Sequence, residues 1–270
     1  MVNAFNRLPT RYPVDFRLNG LTFLYFVMPT LPDWPYPTHI AHRGGGRFAP
    51  ENTLAAMRVG TEHGFKMAEF DVKISADDVL FLMHDDNLDR TTNGSGPANA
   101  LPYADLMQLD AGQWHSLRYT SEPIPSLASI ARYAIANDMA CNIEIKPSPG
   151  CAARTGTQVA LAAQHYWQGQ TVAPLLSSFS EEALAAAQHS APDIPRALLV
   201  ESVPTDWQDR LAHYQCIALN INHRDATPEL IAQVHDAGYR IAAWTVNDPA
   251  RAALLLSWGI DAIFTDELVS

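Results

Sequence analysis

From His39 onward, apolar runs of strand length alternate with amphipathic helical stretches, and this alternation restricts the available folds more than any other feature of the chain. The strand-like runs fall at 39–44, 68–74, 79–85, 140–146, 173–179, 196–200, 216–222, 240–246 and 262–265. Parallel neighbours need a crossover of about a dozen residues. Only Ser75, Ala76, Asp77 and Asp78 separate the second run from the third. The third run must therefore turn back as a hairpin on the second, with Asp71 roughly opposite His84. Eight strands remain, which predicts a (β/α)8 TIM barrel with a hairpin and a small insertion after the second strand. A chain of 270 residues, 47% hydrophobic and 17% charged, can fill such a core, since these barrels commonly use about 250 residues.

The helices are expected at 51–63, 126–138, 153–167, 181–190, 205–213, 228–237 and 249–258. Ser180, Thr227 and Asp248 stand at their N-caps, Pro228 and Pro249 at first helical positions, and Gly238 and Gly259 at C-terminal stops. One barrel domain is expected over residues 38–270. Residues 86–125 are polar and rich in turn formers, and so long a connection is usually functional; they are expected to cap the mouth. Residues 1–37 contain Pro9, Pro13, Pro29, Pro32, Pro35 and Pro37 and little periodicity, so an irregular arm is expected there.

Eighteen Lys and Arg against 29 Asp and Glu give a net charge of −11. That argues against nucleic acid or an anionic membrane surface as partner. An anionic substrate must then be captured by local cations or a bound metal. Cys141, Cys151 and Cys216 show no CxxC spacing and read as free thiols in a reducing cytoplasm. The apolar stretch 21–28 falls far short of the roughly 20 residues a membrane span needs, so no stable membrane insertion is expected. Nothing in the sequence indicates an oligomeric state.

Chemistry gathers at the ends of the expected strands, in the fragments HRGGG, ENT, EFD, HDDNLDRTTNG and IEIKP. Glu69 and Asp71 lie two apart on one strand, so both face the same way, about 7 Å apart along the chain. Glu144, between Ile143 and Ile145, repeats the pattern on the next strand, with Lys146 two residues further on. Three carboxylates in one barrel mouth repel strongly without a cation. An all-oxygen donor set suits magnesium or calcium better than zinc. The competing reading is a set of ion pairs, with Glu144 against Lys146 or Arg43. His42 and His84 end strands on either side of the carboxylates and suit proton transfer to and from a phosphodiester's oxygens. Arg43 offers a fork to phosphate oxygens, and the glycine run 44–46 allows close backbone approach. Glu51 and Asn52 could serve a metal's water, the arginine or a substrate, or merely cap a helix. Trp244 could pack on a substrate's carbon skeleton or belong to the core.

Taken together, AHRGGGRFAPENTLAA, AEFDVKISADDVLFLMHDDNLDRTTNG, LDAGQW, NIEIKP, PLLSSF, WTVN and WGIDAIFTD resemble the glycerophosphodiester phosphodiesterase family, in particular its compact bacterial cytosolic members. The similarity runs from about Thr38 to Asp266. It implies a (β/α)8 barrel, a divalent cation at Glu69, Asp71 and Glu144, an acid/base pair at His42 and His84, and phosphate contacts at Arg43 and Lys146. The implied reaction hydrolyses a small glycerophosphodiester, such as glycerophosphocholine, to sn-glycerol 3-phosphate and an alcohol. The attacking group is water, or first a glycerol hydroxyl that gives a cyclic phosphate. A phospholipase D-like enzyme or lyase of the same superfamily, acting on lysolipids, is the alternative. Asp78 stands where relatives usually have glycine, and the N-terminal arm is atypically long.

Overall fold

The computed structural model describes the backbone of residues 13–18 and 21–26 and the whole of 30–268. Strands β1 (Pro13–Leu18) and β2 (Leu21–Phe26) pair antiparallel, so part of the segment expected to be irregular is a ladder. The following strands are β3 (His39–Ala41), β4 (Met67–Ile74), β5 (Leu80–Leu82), β6 (Ala140–Ile145), β7 (Leu175–Ser178), β8 (Arg196–Val200), β9 (Ala218–Asn222), β10 (Arg240–Trp244) and β11 (Ala262–Thr265). All but β5 are parallel, in the order β3-β11-β10-β9-β8-β7-β6-β4, and the pairing of Ala41 with Ala68 closes the ring. This is the expected (β/α)8 barrel. Its helices are α1 (Leu54–Glu62), α2 (Tyr103–Leu106), α3 (Leu127–Ala136), α4 (Ala152–Tyr166), α5 (Glu181–Ser190), α6 (Trp207–His213), α7 (Pro228–Asp236) and α8 (Pro249–Ser257).

The hairpin forms, but one residue out of the expected register. Val72 pairs with Leu82 and Ile74 with Leu80, and the Met83 N–H donates to the Asp71 carbonyl at 3.1 Å. Met83 therefore stands opposite Asp71, and His84 lies one step beyond. The turn sets this offset: Ser75 N–H bonds to Val79 O at 3.0 Å around a three-residue loop in which Asp78 takes φ +65°. A three-residue hairpin loop needs one left-handed residue, and aspartate tolerates that region better than most.

Two further departures also follow from left-handed residues. Strand β3 stops at Ala41 because Arg43 (φ +52°) and Gly44 (φ +87°) turn the chain across the rim. Helix α1 starts three residues later than expected because Asn52 has φ +59° and Thr53 is the N-cap, its hydroxyl accepting from the Ala56 N–H at 3.1 Å. His42, Arg43, Glu51 and Asn52 are thereby set at the mouth instead of being absorbed into a strand and a helix.

Along each strand the inward face changes character. At the N-terminal end it is apolar: Ile40, Met67, Leu175, Ala197, Ala218, Ala242 and Ala262 form one cluster. The four alanines on β8 to β11 leave space that Tyr36 and Trp34 occupy. The Tyr36 hydroxyl donates to the Ala173 carbonyl at 3.0 Å, and the two rings meet edge to face at 5.0 Å. Between the strands and the helices lie two larger apolar clusters, one around Phe70 and Ile143 and one around Leu219 and Ile241. Residues 86–125 fold on the outer side of the β5 hairpin around Phe81, Met83, Leu88, Leu106 and Ile124.

Candidate active site

At the C-terminal end of the strands the same inward face, followed in steps of two, becomes polar. Met67 gives way to Glu69 and Asp71, Ala197 to Leu199 and Glu201, and Ala262 to Phe264 and Asp266. A cavity of about 590 Å³ opens there, lined by His42, Arg43, Glu69, Asp71, His84, Glu144, Lys146 and Trp244 among others. None of its lining residues belongs to 86–125.

Glu69, Asp71 and Glu144 converge, with one oxygen from each within 4.8 Å of the others. All three are buried. Burial, reinforced by the neighbouring Asp71 charge, pushes the Glu144 carboxyl up to about 7. The same causes hold Glu69 well above the usual carboxylate range. Asp71 goes the other way. Burial works to raise it, but the charges of Arg43, Lys146 and His84 and the Asn52 amide outweigh that effect. Asn52 grips Asp71 at two points, its Nδ2 donating to Oδ2 at 2.8 Å and its Oδ1 accepting the Asp71 N–H at 3.0 Å.

The donor set fits a hard divalent cation. Every candidate ligand atom is a carboxylate oxygen, and Glu69 Oε1 is buried with no hydrogen-bond partner. The ion-pair alternative holds in part: Lys146 Nζ lies 2.7 Å from Glu144 Oε1 and 3.7 Å from Asp71 Oδ1, and Arg43 Nε lies 3.7 Å from Asp71 Oδ2. These cations leave Glu69 Oε1 unmatched.

Both histidines are held in the same way. His42 Nδ1 is 2.7 Å from Asp266 Oδ1, and His84 Nδ1 is 2.7 Å from Asp85 Oδ1. An ionised aspartate at Nδ1 fixes the proton on that nitrogen and leaves Nε2 free to exchange protons with a ligand. His42 Nε2 lies 3.9 Å from Glu69 Oε2, at the edge of the acidic cluster. Asp266 is itself held by Asn247 Nδ2 at 2.8 Å. Burial works to raise its carboxyl, and the hydrogen bonds from His42 and Asn247 bring it below the usual range. Gly46 makes this contact possible, because at φ +51° it packs so tightly on the Asp266 backbone that any Cβ would collide with it.

Of the roles expected for Glu51, the contact with the arginine is the one present: Arg43 Nη1 donates to its Oε1 at 2.7 Å, Arg90 holds both of its oxygens at 2.8 Å, and the residue is not among those lining the cavity. Thr53, not Glu51 or Asn52, caps the helix. Trp244 does line the cavity, edge to face with Phe179 at 5.4 Å, and Lys146 Nζ sits 5.3 Å from the centre of the Phe179 ring. Asp266, Asp85, Arg90 and Glu201 were not anticipated. The period-two alternation that exposed Glu69 and Asp71 also places Asp266 two residues past the inward Phe264, and Glu201 two past Leu199.

A parallel α/β barrel with buried carboxylates, paired cations and aspartate-held histidines at its C-terminal mouth defines a class, the barrel phosphodiesterases. Comparison narrows the class. The Glycerophosphoryl diester phosphodiesterase family model matches residues 42–270, and the chain belongs to that family. A glycerophosphodiester phosphodiesterase of Caldanaerobacter subterraneus is 30% identical over 230 residues, covering 84% of this chain and 93% of the relative. An Oleispira antarctica phosphodiesterase, solved in complex with the product sn-glycerol-3-phosphate, superposes with TM-score 0.80 at 36% identity, covering 86% of this chain and 93% of that one. The glycerophosphodiester phosphodiesterase of Agrobacterium tumefaciens gives TM-score 0.74 at 30% identity, covering 86% and 96%. Among the described residues no helix is long and apolar enough to cross a membrane.

Proposed function

We propose that this protein hydrolyses small glycerophosphodiesters to sn-glycerol 3-phosphate and a free alcohol, with His42 and His84 as its acid/base pair. The observation that carries this reading is the pair of Nδ1-anchored imidazoles lining one cavity with three buried carboxylates and two cations. The product bound by the Oleispira relative supports the substrate class. Arg43 and Lys146 neutralise the non-bridging phosphate oxygens. One histidine takes the proton of the attacking oxygen and the other protonates the departing alkoxide, a role that typically contributes about 10²–10⁴-fold in rate. Glu69, Asp71 and Glu144 would hold magnesium or calcium, which when bound would supply fixed positive charge beside the phosphate. Phe179 and Trp244 form an apolar wall for the carbon skeleton.

We take residues 38–270 as a single catalytic barrel, with the insertion 86–125 capping its mouth. The three unpaired cysteines, Cys141 and Cys216 among them buried, support a cytoplasmic site of action.

The test offers glycerophosphocholine, glycerophosphoethanolamine and an intact lysolipid side by side, follows release of the head-group alcohol from each, and couples sn-glycerol 3-phosphate from the first two to a dehydrogenase. We expect turnover of the two water-soluble diesters and, in His42→Ala and His84→Ala, a loss of about 10²-fold or more with divalent-cation affinity retained. Normal hydrolysis by either variant removes the proton-transfer assignment. Turnover of the lysolipid alone replaces the substrate class.

A further inference from the structure

Arg90 lies in the loop that follows β5 and lines no part of the cavity, yet it meets both halves of the machinery. Its Nε donates to Asp85 Oδ2 at 2.7 Å and its Nη2 to Asp85 Oδ1 at 3.0 Å. On its other edge, Nη1 donates to Glu51 Oε2 and Nη2 to Glu51 Oε1, each at 2.8 Å. One guanidinium thus makes two forks to two carboxylates. Asp85 Oδ1 is the oxygen that holds His84 Nδ1 at 2.7 Å, and Glu51 Oε1 is the oxygen that accepts from Arg43 Nη1 at 2.7 Å. The path His84–Asp85–Arg90–Glu51–Arg43 is continuous.

We propose that Arg90 is a positioning residue, orienting through two carboxylates both the imidazole that exchanges protons and the guanidinium that meets the phosphate. This rests on the roles given above to His84 and Arg43. The need for such a brace follows from the backbone. Arg43 sits in a left-handed turn past the end of β3, and His84 sits past the end of the short strand β5, so neither is fixed by a ladder. Placing a reacting group wrongly by about 1 Å costs on the order of 10²-fold in rate. Planar forks on two edges are a geometry that guanidinium supplies and an ammonium group does not.

The exposure of Arg90 separates this role from a structural one. Its side chain is 44% exposed, and ion pairs so open to water contribute little to stability. The brace should therefore govern geometry at the mouth far more than it governs folding.

The test is a mutant cycle on the full chain, with glycerophosphocholine as substrate and thermal melts run in parallel. Arg90→Ala should lower kcat/KM by about 10–100-fold with the melting midpoint nearly unchanged, and Arg90→Lys should recover little of that loss. Asp85→Ala should act mainly on kcat through His84, and Glu51→Ala mainly on KM through Arg43. Adding Arg90→Ala to the Asp85→Ala, Glu51→Ala double variant should then cost nothing further, because the brace has no ends left to hold. Full additivity in the cycle, or unchanged kcat/KM in Arg90→Ala, overturns the proposal. So does restoration of full activity by Arg90→Lys. If Arg90→Ala does not fold, Arg90→Lys and Arg90→Gln carry the same cycle. His84→Ala is measured alongside: if it remains active the acid/base reading fails, whereas an inactive His84→Ala with an additive Arg90 cycle removes the brace alone.

Discussion

The two ends of the barrel interior are built from the same strands and obey opposite rules. At the N-terminal end, Met67, Leu175 and Ala262 face Tyr36 and Trp34 in a closed apolar layer. Two to four residues further along, the same strands put Glu69 and Asp71 into surroundings almost as dry, 4% and 1% exposed. A buried charge is costly unless it is paired and hydrogen-bonded, and the upper layer leaves Glu69 Oε1 with no partner at all. One end is arranged for packing. The other keeps a strained electrostatic arrangement that a ligand can relieve, and the packed end carries the stability that permits it.

That contrast breaks first at Glu69. Glu69→Gln removes a ligand oxygen from the upper layer, so turnover should fall by about 10²–10³-fold. The melting midpoint of the protein in chelator should nonetheless rise, because a carboxyl strained by burial becomes a neutral amide of similar shape. A coupled assay and a thermal melt on the same preparation decide it. A midpoint lowered by several degrees would mean that Glu69 holds the barrel together.

Tyr36→Ala asks the converse at the other end. Emptying the space over four alanines should cost about 3–5 kcal/mol, read from urea unfolding, while kcat measured in the absence of urea stays within a factor of two or so. A kcat that falls while the unfolding curve stays put would show that the lower layer transmits to the site, and the division into two independent ends would be wrong.

Much of this was legible in the chain, for physical reasons that also explain what was not. The barrel could be read because parallel strands demand long crossovers and only one gap, Ser75 to Asp78, was too short for one. Glu69, Asp71 and Glu144 could be read because a carboxylate alternating with Phe70, or flanked by two isoleucines, contradicts the packing rule of a barrel interior. What escaped depended on left-handed backbone, which periodicity does not encode. The φ values of Asp78 and Asn52 fixed the hairpin offset and released Glu51 and Asn52 from the helix. The partnership of His42 with Asp266 spans 224 residues, and nothing local to either residue announces it. Tyr36 and Trp34 were hidden in a proline-rich stretch whose composition suggested only an irregular arm.

The smallest effect tests whether the upper layer is strained at all, and pH isolates it. With no cation bound, Glu144 titrates at about 7 in the folded chain, against roughly 4.3 for an unperturbed glutamate. Between these values the folded state binds more protons than the unfolded state, so this group's contribution is fully present below about pH 4.3 and is lost as pH rises toward 7. Glu69, raised by the same causes, acts in the same direction, and His84 opposes both in part because burial lowers that imidazole, so the raw stability curve mixes all three. Subtracting Glu144→Gln, which keeps the neutral shape at every pH, removes the histidine and leaves Glu144 together with the part of the Glu69 shift that the Glu144 charge causes. In chelator, the wild-type protein should lose about 1–3 kcal/mol relative to Glu144→Gln between pH 4.5 and 7 and run parallel to it above. Saturating magnesium or calcium should return that difference in the wild type alone, since a ligand that binds only the folded state stabilises it. A difference that is flat with pH would mean that the Lys146 contact at 2.7 Å fully satisfies Glu144. The two ends of the barrel would then differ in polarity but not in strain.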